Sequence, residues 1–386
     1  MKQPIKKSRA VANGVSNKEA IYSLVVDGNN LLKISLVDKT MNSSGQEYGA
    51  VVSFLRILGT ILNKKDFNYC TVCWDGTGSG VLRWKLYEDY KANRDKHYEL
   101  HDPNLSDYEK KLIAYQKMVL DYNANKLKKE EELSFKRQKS IINSILEELC
   151  VRQYEFENVE GDDIISYCVK NRQENEKIVI VSSDKDLTQL ICEDVIVYNP
   201  RMRDFVTKDN SVEKIGITHE NVVLEKVLCG DVSDNIKGVK GIGEQTLIKL
   251  FPQIKTEKMD LKAVIARSKE LLEERKEAKK KPLKSLENIV NGITDGCQGD
   301  KLYEINQKII DLSEPLMTDE AVKELSDVLY APIDTSDRDM KNVYMIINEN
   351  EMSQLSDENK FSEVFSPYSR IIMMEKRRFK EFLKKS

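Results

Sequence analysis

Residues 21–27 read IYSLVVD, a mostly apolar run that ends in an aspartate. The same shape recurs at 69–75 (YCTVCWD) and at 177–184 (KIVIVSSD), and 194–198 (DVIVY) is a fourth short β-branched run. Runs of this kind are typical of strands that are buried on both faces, which is the environment of a parallel sheet. The sequence therefore predicts a parallel sheet built from these four strands.

Helical patterns separate these runs. Apolar residues recur at helical spacing over 51–62, between the first two runs, and over 141–149, before the third. Alternating strands and helices predict a doubly wound α/β domain. The stretch 83–140 is too long for a plain connection and is rich in Lys, Arg and Tyr, so we expect helices that project from the sheet. A stripe at helical spacing supports this, formed by Tyr108, Leu112, Tyr115, Val119 and Tyr122.

The chain divides by composition into four parts. Residues 1–20 are polar and basic, and we expect a flexible tail. Residues 21–218 carry the predicted sheet, with the projecting insertion at about 83–140. Residues 219–255 change to helical patterns around a glycine-rich turn, and 256–386 predict a helical C-terminal extension. The helical patterns of that extension cover 257–281, 285–292, 301–312, 319–329 and 340–350.

The composition favours a cytoplasmic protein without a disulfide framework. The seven cysteines are scattered and odd in number, which suits reduced thiols. Cys70 and Cys73 lie in a predicted strand, so buried core thiols are favoured over a redox or zinc motif. No apolar run reaches transmembrane length, and we expect a monomer that does not enter a membrane. The net charge of −3 decides little about partners, because basic and acidic residues cluster in different segments.

Three of the predicted strands lead into an aspartate: Asp27, Asp75 and Asp184. Because ligands of open parallel sheets bind beyond the carboxyl ends of the strands, we expect these side chains to share one edge. A single aspartate there is explained by a helix N-cap or a turn. Three of them would repel each other unless a positive charge lay between them.

Further acids occur in the short motifs EGDD (160–163), SSDKD (182–186) and GDVSDN (230–235). Taken alone, EGDD is better explained as acids at a helix N-terminus, where the helix dipole favours negative charge, and GDVSDN as a loop with Asx turns. Taken together, the strand ends and motifs supply nine candidate metal ligands: Asp27, Asp75, Glu160, Asp162, Asp163, Asp184, Asp186, Asp231 and Asp234.

The chemistry of these acids favours hard cations. The chain has only three histidines, so a His-based zinc site is disfavoured, and the acids do not fall in an EF-hand loop. Mg²⁺ binds few carboxylates, keeps several waters and takes phosphate oxygens. Two such ions can activate a water and stabilise the leaving oxygen of a phosphodiester, so the pattern predicts phosphoryl hydrolysis.

Two basic segments are candidates for nucleic-acid binding. Residues 235–243 (NIKGVKGIG) lie between two helical patterns and favour a helix–hairpin–helix, whose backbone amides would approach a DNA phosphate. The alternative is a glycine-rich turn between packed helices. Residues 83–94 (RWKLYEDYKANR) mix cations with aromatics, and the alternative there is a solvated amphipathic helix. The candidate DNA-binding residues are Arg83, Lys85, Tyr90, Lys237, Gly238, Lys240, Gly241 and Gly243.

In order along residues 21–251, the chain carries six motifs: VVDGNN (25–30), WDG (74–76), YKANR (90–94), EGDD (160–163), SSDKD (182–186) and GDVSDNIKGVKGIG (230–243). Together they resemble the flap endonuclease/5′–3′ exonuclease family, specifically the tailed-phage 5′ nucleases and T-even-type ribonuclease H. The resemblance implies a PIN-like parallel-sheet nuclease core with a helical arch, a helix–hairpin–helix region and a C-terminal helical extension. It also implies structure-specific 5′ nuclease activity, in the host cytoplasm if the chain is phage-encoded.

The resemblance implies roles for the candidate residues. Lys91 and Arg94 match the family's basic residues at the base of the arch, which steer the scissile phosphate. A first ion, Mg²⁺ with Mn²⁺ as a substitute, would be held by Asp27, Asp75, Glu160, Asp162 and Asp163. A second would be held by Asp184, Asp186, Asp231 and Asp234. The expected partners are a potassium ion at the hairpin, 5′ flaps or ends of DNA, RNA–DNA hybrids, and a sliding clamp or single-strand-binding protein.

Two other functions compete with this one. A non-catalytic structure-selective DNA-binding protein on the same scaffold would show Asn, Ser or Ala at several motif positions, whereas all nine acids are present. A toxin-like metal-dependent ribonuclease is typically shorter and lacks the hairpin and the arch. The sequence does not separate exonuclease from endonuclease preference, or threading from clamping by the arch.

Overall fold

A computed structural model describes residues 20–92, 107–294 and 300–385, with the backbone alone for 107–125 and for residue 300. The predicted tail at 1–20 lies, but for its last residue, outside the described residues, as does Arg94. Across the described ranges, no helix combines the length and the apolar character that crossing a bilayer requires.

A six-stranded sheet with the order β3-β2-β1-β4-β5-β6 forms the centre of the fold. Neighbouring strands are parallel except β5 and β6, which are antiparallel. The strands are β1 (Ile21–Asp27), β2 (Tyr69–Trp74), β3 (Arg152–Glu155), β4 (Glu176–Val181), β5 (Val195–Asn199) and β6 (Asp204–Val206). The four predicted strands are confirmed. The edge strands β3 and β6 were not predicted, because one reads RQYE and the other has three residues.

Helices cover both faces of this sheet in the predicted α/β manner. They are α1 (Gly28–Ser35), α2 (Gly49–Leu62), α3 (Val81–Leu86), α4 (Asp107–Glu148), α5 (Gly161–Lys170) and α6 (Ser211–Ile215). Helix α4 has 42 residues and joins the predicted projecting helix to the predicted core helix at 141–149 without a break. Its last turns pack in the same apolar cluster as α1 and α2, which anchors the projecting part on the core. Cys70 and Cys73 are fully buried in β2, as predicted.

A helix–hairpin–helix follows the sheet, as predicted. It consists of α7 (Val222–Cys229), the two-residue strands β7 (Gly230–Asp231) and β8 (Ile236–Lys237), and α8 (Glu244–Leu250). The two strands pair antiparallel, and the backbone beside them is packed so closely that a Cβ atom on Gly238 would lie 2.1 Å from the carbonyl carbon of Cys229. Gly238 is therefore required by backbone packing, which differs from its predicted role at a DNA phosphate.

Within the described residues, seven helices follow the hairpin region. They are α9 (Leu261–Glu277), α10 (Lys284–Asn291), α11 (Asp300–Ile310), α12 (Asp319–Val328), α13 (Met340–Glu349), α14 (Glu358–Phe365) and α15 (Ser369–Leu383). The first five match the predicted helices. The last two were not predicted individually, because α14 has only eight residues and the apolar residues of α15 are interrupted by the charged run EKRR (375–378).

These helices do not form a separate extension. Helices α13 to α15 pack into the apolar cluster of α1 and α2, α12 packs against α5, and α9 to α11 pack with the hairpin region. The buried hydroxyl of Tyr368 donates to the carbonyl of Leu55 at 2.8 Å. The predicted division at residue 255 is thus not a boundary in the core, because apolar side chains from both sides of it fill the same clusters.

A buried ion pair fastens the last helix to the edge of the sheet. Arg152 of β3 donates to Glu375 of α15 through Nε at 3.1 Å and Nη2 at 2.9 Å, and both side chains are almost fully buried. Arg152 also donates to the carbonyl of Ala331 at 2.9 Å, and Arg378 reaches Glu375 at 2.8 Å. The carboxylate of Glu375 is therefore the partner of two guanidinium groups.

Removal of this carboxylate should destabilise the whole fold. We expect Glu375→Ala to lower the free energy of unfolding by about 3 kcal/mol, because Arg152 is left as an uncompensated buried charge. Glu381→Ala on the same helix, which removes an exposed pair with Arg377, should change it by less than about 0.5 kcal/mol. Urea denaturation of both variants measures the difference. Equal losses would show that the buried pair of Arg152 and Glu375 stabilises the fold no more than the exposed pair does.

Candidate active site

The carboxyl ends of three adjacent strands bring acids together at one edge of the sheet. The strands β2, β1 and β4 are neighbours, and all run parallel. Asp27 is the last residue of β1, Asp75 follows β2, and Asp184 follows β4 after two serines. The charges of Asp75 and Asp184 both raise the pKa of Asp27, which shows that the three carboxylates lie within electrostatic reach. The predicted convergence of these strand ends is therefore present.

Asp27 caps a helix and also lies among the acids at this edge of the sheet. Its Oδ1 accepts the N–H of Asn30 at 2.9 Å and caps α1, while its Oδ2 accepts the hydroxyl of Ser182 at 2.9 Å. Burial raises the pKa of Asp27 to about 7, with further contributions from the neighbouring carboxylates. The sequence alone left the cap and the metal ligand as alternatives; the structure shows the cap, and the metal-ligand role stays a prediction.

Asp75 connects the edge to the N-terminus of α5. Its Oδ2 accepts the amide of Asn29 at 2.6 Å, and its Oδ1 accepts the N–H of Gly161 at 2.8 Å. The next residue, Asp162, has a pKa far above its usual value because of burial and then the charges of Asp27, Asp184, Asp75 and Glu160. We call Asp27, Asp75, Asp162 and Asp184 the first acid group. The hydrogen bonds that Asp27 and Asp75 accept come from neutral donors.

A second acid group contains a lysine. Asp186 and Asp231 lie on either side of Lys226, whose Nζ is 2.7 Å from Asp186 Oδ1 and donates to Asp231 Oδ2. Burial raises the pKa of Asp186 to about 7 despite Lys226. Burial also opposes ionisation of Asp231, but bonds from Lys226 and Ser233 outweigh it and hold its pKa below the usual value. We call Asp186 and Asp231, with Lys226, the second acid group.

Beside the first acid group, Arg83 forms a buried ion pair. Its Nη1 and Nη2 donate to Asp163 at 2.6 and 3.0 Å, and Nη1 lies 3.3 Å from Glu160. Burial lowers the pKa of Arg83, but the charges of Asp163 and Glu160 outweigh it and raise the pKa above its usual value. Residues near the end of α11 complete the pair, since Ile309 O accepts from Arg83 Nε and Leu316 N–H donates to Asp163.

This arrangement argues against two predicted roles. Arg83 is only 5% exposed, so its guanidinium faces carboxylates rather than DNA. Both oxygens of Asp163 are engaged by Arg83 and by a backbone N–H, which leaves little capacity for a metal ion. The predicted DNA contact of Arg83 and the predicted metal contact of Asp163 are replaced by one structural pair.

Tyr90 and Lys91 lie on the other side of Glu160. The hydroxyl of Tyr90 is 3.2 Å from both oxygens of Glu160 and from Asp234 Oδ2, and the residue is 6% exposed. This argues against the predicted contact of Tyr90 with DNA. The ammonium of Lys91 is 2.7 Å from Glu160 Oε1 and 4.0 Å from Asp234 Oδ2, and its side chain is partly exposed. Lys91 also has a left-handed backbone (φ 57°), fixed by its N–H bond to Asp234 O.

The remaining basic candidates lie on the surface. Lys85, Lys237 and Lys240 are exposed. Gly241 and Gly243 are exposed and have open space where a Cβ would be, in contrast to Gly238. Lys226 is the important residue that the sequence analysis missed; the signal was a lysine one turn before the GDVSDN motif.

The described residues contain no group of three or more His, Cys, Asp or Glu side chains already placed to hold a metal ion. The donor set nevertheless fits a hard divalent cation. The first acid group consists of oxygen donors that repel each other, as the raised pKa values of Asp27 and Asp162 show. An ion that keeps most of its waters contacts few carboxylates directly, so an open arrangement of this kind is compatible with Mg²⁺.

The family model of the 5′-3′ exonuclease N-terminal resolvase-like domain matches residues 22–223, slightly more than half of the chain. The chain belongs to the 5′–3′ exonuclease family. This confirms the family that the six motifs predicted. DNA polymerase I of Bacillus subtilis (strain 168) is 30% identical over 272 residues, which cover 68% of this chain and 27% of the relative. The 5′-3′ exonuclease of Aquifex aeolicus (strain VF5) is 30% identical over 210 residues, which cover 54% of this chain and 61% of the relative.

The chain therefore spans less than two thirds of the length of these curated relatives. Among solved structures, T5 5′-exonuclease with bound divalent metal ions (zinc) matches with a TM-score of 0.52 at 18% identity, over 86% of this chain and 100% of that one. A bacteriophage T5 flap endonuclease in a pseudo-enzyme–product complex with DNA and metal ions matches with a TM-score of 0.51 at 18% identity, over 86% and 99% of the two chains. At this identity the match shows the fold alone, and it confirms the predicted α/β core.

Two adjacent aspartates should respond in opposite directions when the metal-free protein is tested. Asp162→Asn removes one charge from a group of acids that repel each other, so we expect it to raise the free energy of unfolding in EDTA. The melting temperature should rise by about 2–4 °C for each kcal/mol by which this free energy increases. Asp163→Asn breaks the pair with Arg83 and should cost about 3 kcal/mol. Differential scanning calorimetry of both variants measures this. A loss of stability in Asp162→Asn would contradict the assignment of an unneutralised acid group.

Proposed function

We propose that this chain is a metal-dependent, structure-specific 5′ nuclease that hydrolyses phosphodiesters in DNA flaps or RNA–DNA primers. The observation that carries the proposal is the convergence of Asp27, Asp75 and Asp184 from three neighbouring strands. Membership of the 5′–3′ exonuclease family supports the same reaction. The alternative, a non-catalytic DNA-binding protein, is disfavoured because a buried group of repelling carboxylates destabilises a scaffold that needs only to bind DNA.

The proposed cofactor is Mg²⁺, with Mn²⁺ as a substitute. Asp27, Asp75 and Asp162, with Glu160 at the margin, would hold one ion, and Asp184, Asp186 and Asp231, with Asp234 at the margin, would hold or orient the other. Ions bound there would activate a water and stabilise the leaving oxygen of the phosphodiester. Asp163 is left out of this set because Arg83 occupies it.

Lys91 is the proposed residue that contacts the scissile phosphate. Its ammonium lies beside Glu160 at the boundary between the first acid group and solvent, where a phosphate approaching the carboxylates would meet it. The buried hydroxyl of Tyr90 and the backbone bond to Asp234 hold the segment in place. A cation fixed there would stabilise the negative charge that develops on the phosphate oxygens. Arg94 is proposed for the same task from the family motif.

Duplex DNA is proposed to contact the hairpin region. The exposed backbone at Gly241 and Gly243 and the exposed ammonium groups of Lys237 and Lys240 would bind phosphates without reading bases. A potassium ion at this turn is part of the proposal from family resemblance. The projecting part of α4 and the exposed Lys85 of α3 would hold the single-stranded 5′ end. The proposed oligomeric state is a monomer, and the proposed location is the cytoplasm.

Cleavage of a 5′-flap substrate tests the activity directly. We expect cleavage with Mg²⁺, none with EDTA, and a fall in kcat of at least about 100-fold for Asp184→Asn, because an acid of the first acid group that is proposed to hold or orient the second ion loses its charge. Asp194→Asn is a matched control, since Asp194 is a surface acid that pairs only loosely with Lys177 at 3.8 Å. Mapping the cleaved position on flap, nicked and RNA-primed duplexes shows the preferred substrate. Equal rates with Mg²⁺ and with EDTA would exclude the proposal.

Substitutions of two lysines should distinguish an effect on the rate of cleavage from an effect on DNA binding. Lys91→Ala should lower single-turnover rates by about 100-fold while the Kd for DNA changes less than about threefold, because its charge acts on the transition state. Lys85→Ala should weaken binding by about twofold to threefold and reduce its salt dependence, with a much smaller effect on rate. Fluorescence anisotropy and single-turnover cleavage measure the two quantities. A loss in Lys91→Ala confined to affinity would refute its proposed role.

A further inference from the structure

The two acid groups differ in how their charge is balanced. In the first, Asp27 and Asp75 accept hydrogen bonds from the neutral donors Asn30, Ser182, Asn29 and Gly161. In the second, an ammonium bridges the two carboxylates. Lys226 Nζ lies 2.7 Å from Asp186 Oδ1 and donates to Asp231 Oδ2.

The position of Lys226 is fixed by the fold. It lies on α7, five residues before Asp231, and the turn at Gly230 folds the chain back so that the carboxylate of Asp231 meets the ammonium. The side chain is 15% exposed, and those of Asp186 and Asp231 are 23% and 9% exposed. The bridge is therefore a nearly buried feature, unlike the surface pairs of this protein, and water screens it only weakly.

A divalent ion that used the same carboxylate oxygens would lie within a few ångströms of the ammonium. Two cations at that separation repel each other, and each carboxylate oxygen has limited capacity for partners. The lysine side chain is flexible, so its ammonium can leave the carboxylates when they take up another cation.

We propose that Lys226 is a resident counter-ion of the second acid group. In the metal-free protein its ammonium neutralises this group, and the ammonium must leave before the group binds a divalent ion. This inference rests on the proposed function. The two metal positions are then unequal. The first acid group binds its ion without displacing a side chain. The second binds its ion more weakly, because the ammonium of Lys226 must first leave Asp186 and Asp231. Occupancy is therefore ordered, with the first acid group filled at lower metal concentration.

A titration of the full chain with Mn²⁺ tests this inference. Binding is measured by calorimetry and by the electron paramagnetic resonance signal of free Mn²⁺. We expect two classes of site in the wild type. Lys226→Met should tighten the weaker class by about tenfold or more, which is about 1.4 kcal/mol, and change the tighter class by less than about threefold. No change or a weakening of the weaker class would overturn the proposal.

Lys214→Met is the matched control. Lys214 has a similarly covered side chain, 19% exposed, and forms a 2.7 Å pair with Asp204 on β6. Both substitutions remove one positive charge, so a general electrostatic effect would tighten Mn²⁺ binding equally in the two variants. Equal tightening would overturn the proposal, whereas tightening in Lys226→Met alone supports it.

A second measurement uses the wild-type chain and does not depend on the folding of a variant. Acetylation of lysines by a water-soluble reagent, read by mass spectrometry, reports how exposed each ammonium is. Saturating Mg²⁺ should increase labelling of Lys226 by about threefold or more and leave that of Lys214 unchanged, because the ammonium is released from its carboxylates. Unchanged labelling of Lys226 would overturn the proposal.

Failure of this inference is distinguishable from failure of the proposed function. If wild-type protein cleaves a 5′ flap with Mg²⁺ while Lys226 labelling and the Lys226→Met titration show no effect, only the role of Lys226 is refuted. If wild-type protein neither binds Mn²⁺ nor cleaves the flap, the nuclease proposal itself is refuted.

Discussion

The mutual repulsion of carboxylates at one edge of a parallel sheet is the constraint on which the rest of the site depends. Adjacent parallel strands necessarily end side by side, and three of them lead here into Asp27, Asp75 and Asp184. Burial strengthens the repulsion because water no longer screens it, and it raises the pKa of Asp27 to about 7. A protein that keeps such a group needs a cation there, and this requirement connects the fold to metal-dependent chemistry.

The surrounding structure supplies cations at the margins of this edge. Arg83 neutralises Asp163, Lys91 lies against Glu160, and Lys226 bridges the second acid group. The segment after the hairpin contributes to this arrangement through the carbonyl of Ile309 and the N–H of Leu316. The C-terminal helices therefore belong to the nuclease fold, since they fill its core and complete the ion pair that borders the acids.

Most of the sheet was predictable from the sequence, because strands buried on both faces leave a continuous apolar run such as IYSLVVD. The edge strand RQYE carries no such signal. The motifs predict the nine acids as a set of candidate ligands, but they do not predict which of these acids pair with a cationic side chain. Arg83 and Tyr90 match a DNA-binding pattern in composition, yet α3 and the following turn direct them inward, and composition does not specify the direction of a side chain. Lys226 was missed because its partners Asp186 and Asp231 come together only in the folded chain.

The most direct test of this account is anomalous diffraction at the manganese absorption edge from crystals of the full chain grown with Mn²⁺. The account predicts a strong peak within the first acid group, between Asp27, Asp75, Asp162 and Asp184. Crystals in which ordered Mn²⁺ lies only at other surfaces, at a concentration that supports catalysis in solution, would contradict it.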